Sequence, residues 1–196
     1  MIEMNIASNQ KRKFWIFVSL LYLSTVADLG ITYVGTPDLS LEGNPLVSIF
    51  NLGWTALITA NVIFLIFFTW LIFYYTFLQY KRPIIQCDGY KQYISMLYYQ
   101  RPDKFNWTFY KFPKNKSILP AIIGYTGAII IPLIRVYFVA EWIGFIYFHD
   151  FIHLFYCQNI VLWRTIVFSI TILYGIFLGN YWGWIEYQAN KKLSEN

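Results

Sequence analysis

Four long apolar runs, roughly residues 14–35, 49–79, 118–147 and 159–185, constrain this chain more than any motif in it. A membrane-crossing helix needs about 20 mostly apolar residues, and each run is long enough. In lipid, only helices and closed barrels satisfy every backbone polar group internally. The runs show no strand alternation and no barrel-like repeat, so the reading is an all-α fold: a polytopic membrane protein, a four-transmembrane-helix bundle forming one membrane domain over residues 1–196. A water-soluble fold needs polar surface, and with 58% hydrophobic and 13% charged residues there is too little of it outside one central segment. Aromatics reach 22%, which suits side chains seated at two membrane–water interfaces. The opening "MIEMNIASNQKRK" leads into a run with no small-residue cleavage site behind it, so the run is expected to be a retained span and not a signal peptide.

The basic residues orient the bundle. Lys11, Arg12 and Lys13 precede the first run, and Lys191 and Lys192 end the chain. Eight more, from Lys81 to Lys116, fill residues 80–117. The loops at about 36–48 and 148–158 contain no Lys or Arg. By the positive-inside rule both termini and the 80–117 segment are cytoplasmic, and the two basic-free loops face outward.

Two runs call for adjustment. As one straight helix, residues 49–79 would reach roughly 46 Å, well beyond a ~30 Å hydrocarbon core. Asn44 as N-cap, Pro45 at the first helical position and Gly53 as a break allow a short outer helix before the true span. Pro132 removes one backbone donor and is expected to kink the third span.

The 80–117 segment carries 8 basic and 2 acidic residues with aromatics throughout. Such a segment is expected to lie on anionic inner-leaflet lipids, with Tyr and Trp at headgroup depth. Alternation from Phe105 to Phe109 also suits a short strand, and "FPKNK" (112–116) a turn. The basic clusters are short and sit beside spans, so membrane-surface anchoring is preferred and no nucleic-acid partner is expected.

The unusual polar residues gather in the outer half. Asp28 lies in the first span, Glu42 and Asn44 in the first outer loop, Glu141 near the end of the third span, His149, Asp150 and His153 just beyond it, and Arg164 inside the fourth. Ionisable residues inside a span face the bundle interior and have a partner. The plain structural account pairs Glu141 with Arg164, hydrogen-bonds Asp28, and lets Arg135 join Asp28 or the backbone freed by Pro132. The chemical account rests on "FHDFIHLFYCQN" (148–159), which holds both histidines. On a helix, His149 and His153 sit about 6 Å apart along the axis on one face and can share zinc or another transition metal. Asp28, Glu42 or Glu141 would add a carboxylate, whereas Cys157 lies about 12 Å from His149 along the axis, too far to share the ion. A His–carboxylate cluster can also handle protons with no metal. The two cysteines, Cys87 and Cys157, suggest no disulfide scaffold.

"VADLGITYVGTPDLSLEGNPL" resembles a family of small bacterial multi-pass membrane proteins, over about residues 14–79, that share an intramembrane Asp, a following Thr and a Glu-x-Asn-Pro turn. Here these are Asp28, Thr32, Glu42, Asn44 and Pro45. The resemblance implies that the Asp and the turn act together, and a place in the plasma (bacterial inner) membrane. His149-x3-His153 with Asp28 is similar in ligand pattern to membrane hydrolases of the alkaline ceramidase and adiponectin-receptor type. Those carry a third histidine, a Ser-x3-His pair and seven spans; here Ser24 stands four residues before Asp28, no third histidine exists and four spans are expected.

Two functions follow as expectations. In the first, the chain is a non-catalytic subunit or accessory protein of a membrane complex, meeting other membrane subunits through exposed aromatics. In the second, it is a metal-dependent hydrolase of a lipid or lipid-linked substrate, with Asp28 as ligand or base, Glu42 as general acid/base and the histidines as ligands. No phosphate-binding loop or nucleophile elbow is present.

Overall fold

The computed structural model describes residues 2–42, 44–78, 84–102, 113–148 and 160–194. Among these residues every regular element is helical. Helix α1 spans Ile2–Gly35, α2 Pro45–Ser48, α3 Trp54–Phe73, α4 Tyr90–Tyr99, α5 Ile118–Tyr147 and α6 Ile160–Ser194. Four of them, over Asn9–Gly35, Trp54–Phe77, Ile118–Tyr147 and Arg164–Ser194, are long and apolar enough to cross a membrane.

The second apolar run breaks where its sequence suggests. Asn44 Oδ1 accepts the Leu46 N–H at 3.0 Å, capping α2 one residue before Pro45. Helical structure resumes only after Gly53, leaving a 24-residue apolar helix from Trp54 to Phe77. At 1.5 Å per residue that is about 36 Å, far closer to one hydrocarbon thickness than the undivided run. The last turn, Tyr74–Leu78, widens into a π-helix. It brings Tyr75 and Thr76 inward, both buried, and Thr76 returns its hydroxyl proton to the Ile72 carbonyl at 2.7 Å.

Helix α5 is the hub, packed on α1, α3 and α6. Its buried face is small at the closest crossings: a Cβ on Gly124 would overlap the Leu71 carbonyl, and one on Gly127 would lie 2.5 Å from the Phe68 ring. Glycine here permits helix approach, the usual device where lipid supplies no hydrophobic drive between helices. Helix α5 runs on through Pro132, which is buried, so this proline does not end the helix. Val18, Leu21, Ile72 and Ala128 form one core cluster between α1, α3 and α5.

The segment between the second and third long apolar helices contains a helix that the charge pattern conceals. Helix α4 buries Tyr93, Ile94 and Leu97 and packs against the last part of α6. Asn190 fixes the chain ahead of it, accepting the Ile85 N–H and donating to the Ile85 carbonyl, both at 2.8 Å. The turn expected at "FPKNK" is present from Pro113: Lys114 N–H reaches the Tyr98 carbonyl at 2.9 Å, and Ser117 donates to Asn115 Oδ1 at 2.6 Å. The strand expected over Phe105–Phe109 falls outside the described residues.

Candidate functional site

Asp28, on α1, points into the bundle and meets Arg135 from α5. Arg135 Nη1 donates to Asp28 Oδ2 at 2.6 Å, and Nη2 donates to Asn61 Oδ1 at 2.7 Å. Asn61 comes from α3 and returns its amide proton to the Leu57 carbonyl at 2.9 Å. The guanidinium carbon also lies 5.7 Å from the Phe64 ring centroid. One cation therefore ties three helices together. Its side chain is 13% exposed and that of Asp28 is 19%. A charge so placed is tolerable only when paired and hydrogen-bonded, and here Asp28 supplies the counter-charge and Asn61 a further acceptor. The network is not saturated, since Arg135 Nε is buried with no hydrogen-bond partner among the described residues.

Glu42 lies within electrostatic reach of Asp28 but is committed to its own turn. Its Oε1 accepts the Asn44 N–H at 2.8 Å, and Asn44 in turn caps α2. Glu-x-Asn-Pro is thus a relay of two side-chain-to-backbone bonds that sets the start of α2. The preceding loop is bound as tightly. Asp38 accepts from Ser40 N–H at 3.1 Å, Ser40 Oγ at 2.8 Å and Thr36 Oγ1 at 3.2 Å. Trp54 Nε1 reaches over to the Pro37 carbonyl at 2.7 Å. These loop bonds hold Asp38 below the usual carboxylate range, the Ser40 backbone N–H contributing most.

Glu141 pairs with Arg164 across α5 and α6, with Nη2 3.6 Å from Oε1. Arg164 is 46% exposed and Glu141 15%, so the contact sits at the rim. His149, Asp150, His153 and Cys157 lie outside the described residues.

A metal would have to displace a guanidinium to reach the Asp28 oxygen that Arg135 holds. A cation ligated beside Arg135 and Asn61 would meet a positive charge on its first neighbour. Among the described residues no group of three His, Cys, Asp or Glu is arranged to hold an ion. Asp28 Oδ2 is thus engaged by Arg135, and the two histidines expected to complete a metal site lie outside the described residues.

A second polar cluster occupies the opposite end of the bundle. Lys13 hydrogen-bonds the Tyr75 hydroxyl and lies 4.5 Å from that ring's centroid, with Phe17 and Tyr125 rings at 6.0 Å. Glu186 of α6 is within electrostatic reach of the ammonium. Sequence gives Lys13 the look of one more flanking positive charge, yet it is half-buried among aromatic rings. Asn61 carried a signal that could have been read, a lone amide inside "TANVIFLIFF".

No protein-family model, no curated protein and no solved structure matches this chain.

Proposed function

We propose that this chain is an integral membrane protein without catalytic chemistry of its own, a subunit or assembly protein of a membrane complex. It resides in the plasma membrane, the inner membrane of a bacterium, with both termini and the α4 segment cytoplasmic. The observation that carries this reading is that the described polar residues marked for chemistry hold one another: Asp28 is taken by Arg135, Arg135 by Asn61, and Glu42 by the Asn44 turn. A lipid hydrolase working through Asp28 and Glu42 needs those carboxylates turned toward a substrate. Here they set helix register and a loop.

The orientation rests on the positive-inside distribution of Lys and Arg. Maleimide labelling of single cysteines at residues 10, 40 and 195 in intact spheroplasts tests it, with residue 40 expected to react from outside and the other two only after permeabilisation. The subunit reading is tested on chromosomally tagged protein in mild detergent by native mass measurement, with the expected mass exceeding that of one chain by a defined partner set. Elemental analysis of the same sample decides against the proposal if the chain is alone and carries near-stoichiometric zinc that a His149→Ala/His153→Ala variant loses.

A further inference from the structure

The end of α4 and the start of α5 are tied into one knot. Gln100 adopts a left-handed conformation, φ 56°, and closes α4 with its N–H on the Met96 carbonyl at 2.9 Å. Ser95, fully buried, donates its hydroxyl to the Arg101 carbonyl at 2.5 Å, which holds the residue after the cap against α4. From the other side the Lys114 N–H reaches the Tyr98 carbonyl at 2.9 Å, and the Ser117 hydroxyl donates to Asn115 Oδ1 at 2.6 Å. Pro113 and Ile118 are buried, whereas Arg101, Lys114 and Lys116 are exposed.

Three cations therefore leave one small, fixed stretch of backbone. Chain length alone keeps Arg101 within roughly 11 Å of Tyr98, and Lys116 within roughly 7 Å of Lys114. Residues 101–117 hold five Lys or Arg against one acid, Asp103, a net +4. There the charge stops: from Ile118 to Ile134 no Asp, Glu, Lys, Arg or His occurs, in a helix long and apolar enough to cross a membrane. The patch thus lies where hydrocarbon gives way to headgroups, with the partly exposed Tyr98 and Tyr99 at the same end of α4, rings suited to that depth. The helix end itself offers an anion little. Ile118 and Leu119 N–H are bonded to the Asn115 and Lys116 carbonyls at 3.2 and 3.3 Å, Ser117 N–H to Asn115 Oδ1 at 3.3 Å, and Pro120 has no N–H. What remains for a partner is side-chain charge. Cations one to four residues from such a helix meet phospholipid headgroups first, and a headgroup of net negative charge complements them where a zwitterionic one does not.

We propose that Arg101, Lys114 and Lys116, presented by the α4–α5 knot, form a surface that recruits phospholipids of net negative headgroup charge, such as phosphatidylglycerol. This rests on the membrane residence proposed above. It does not rest on the subunit role or on the orientation.

The test uses the full-length protein in micelles doped with equal mole fractions of phosphatidylglycerol and phosphatidylcholine of matched chains, read by native mass spectrometry. One basic residue at an anionic surface is worth on the order of fivefold in partition, so phosphatidylglycerol is expected to be retained on the order of tenfold over phosphatidylcholine. Arg101→Gln/Lys114→Gln/Lys116→Gln, at three exposed positions, should bring that ratio below about twofold while the unfolding temperature of the long apolar helices stays the same. The charge-matched Lys91→Gln/Lys191→Gln/Lys192→Gln, also exposed but at the start of α4 and the end of α6, should keep most of it. Lys114→Gln/Lys116→Gln should fall between, and it carries the test if the first triple variant does not fold. Equal retention of the two lipids by the unaltered protein overturns the proposal, and so does an equal loss in the two triple variants, because the preference would then follow bulk charge. A single-stranded oligonucleotide that displaces phosphatidylglycerol at equal phosphate concentration also overturns it, in favour of a nucleic-acid surface. Recovery of the chain from the soluble fraction of lysed cells would remove membrane residence itself, whereas equal lipid retention removes this surface alone. Micelles have no leaflets, so the result stands apart from the cysteine-labelling result on orientation.

Discussion

At the scale of single residues, the bond between Asp28 and Arg135 determines what kind of site this is. Removing Arg135 alone leaves a carboxylate in the bundle beside an amide, and breaking a buried pair in this way typically costs about 3–5 kcal/mol. Replacing both partners by apolar residues removes the uncompensated charge. Arg135→Met is therefore expected to lower thermal stability in detergent strongly, and Asp28→Leu/Arg135→Met to lie well above the sum of the single effects, by about 1–3 kcal/mol of coupling. Additive losses would mean that Asp28 has a partner other than Arg135.

Glu42 and Asn44 separate a turn from a catalytic pair. In Glu42→Gln the amide oxygen still accepts the Asn44 N–H, so stability is expected to move by less than about 0.5 kcal/mol. Asn44→Ala removes the cap on Leu46 and should cost about 1 kcal/mol. A Glu42→Gln protein that is fully stable yet loses its cellular role would return Glu42 to chemistry. Asp38 gives the loop a pH dependence. Its carboxyl pKa in the folded state lies below the usual range, so its stabilising effect is complete above the ordinary carboxylate pKa of about 4. That effect is lost as pH falls through the depressed folded value. Protection of the Ser40 and Leu41 amides should accordingly persist at pH 5 and fall in stronger acid, and in Asp38→Ala it should be low throughout.

At the scale of elements, much was legible because length and polarity decide it. Four runs of the required length became four long apolar helices, and "EGNPL" became a capped helix start because Asn and Pro each have one good place there. Helix α4 was hidden for a physical reason. Tyr90, Tyr93, Ile94 and Leu97 have helical spacing, but Lys91 and the surrounding charges suggest only a membrane-surface segment. The meeting of Arg135 with Asn61 depends on the relative rotation of α3 and α5, which hydropathy does not encode. Glycine at the crossing sets that rotation. Gly124→Ala should separate α3 from α5 and lower stability sharply, since the added Cβ meets the Leu71 carbonyl, a backbone atom that cannot turn aside. Gly30→Ala, with open space around it, should be neutral or stabilise by up to about 1 kcal/mol. Equal thermal shifts for the two variants would refute the close α3–α5 contact.

At the scale of the molecule, α1, α3 and α5 form a three-helix core clamped at both ends by a cation, Arg135 at one and Lys13 at the other. Helix α6 is attached differently. It touches α5 along its length, meets it at one end through the rim pair Glu141–Arg164, and at the other end carries α4 and the segment around Ile85. That α4 unit has its own contacts: Ile94 and Tyr90 close over Gly183, and Tyr93 and Tyr90 pack on Tyr187. It should therefore open without unfolding the core. Asn190→Ala removes both bonds to the Ile85 backbone and leaves a part-buried N–H and C=O without their partner, a local loss of about 1–3 kcal/mol. Trypsin cleavage after Lys91 is then expected to speed up several-fold, while the unfolding temperature of the long apolar helices moves little. The rate rises because opening, not cleavage, limits access to a helix docked on α6. Unchanged cleavage would show that Asn190 does not hold the segment. Simultaneous loss of the long apolar helices would show that the α4 unit and the three-helix core unfold as one.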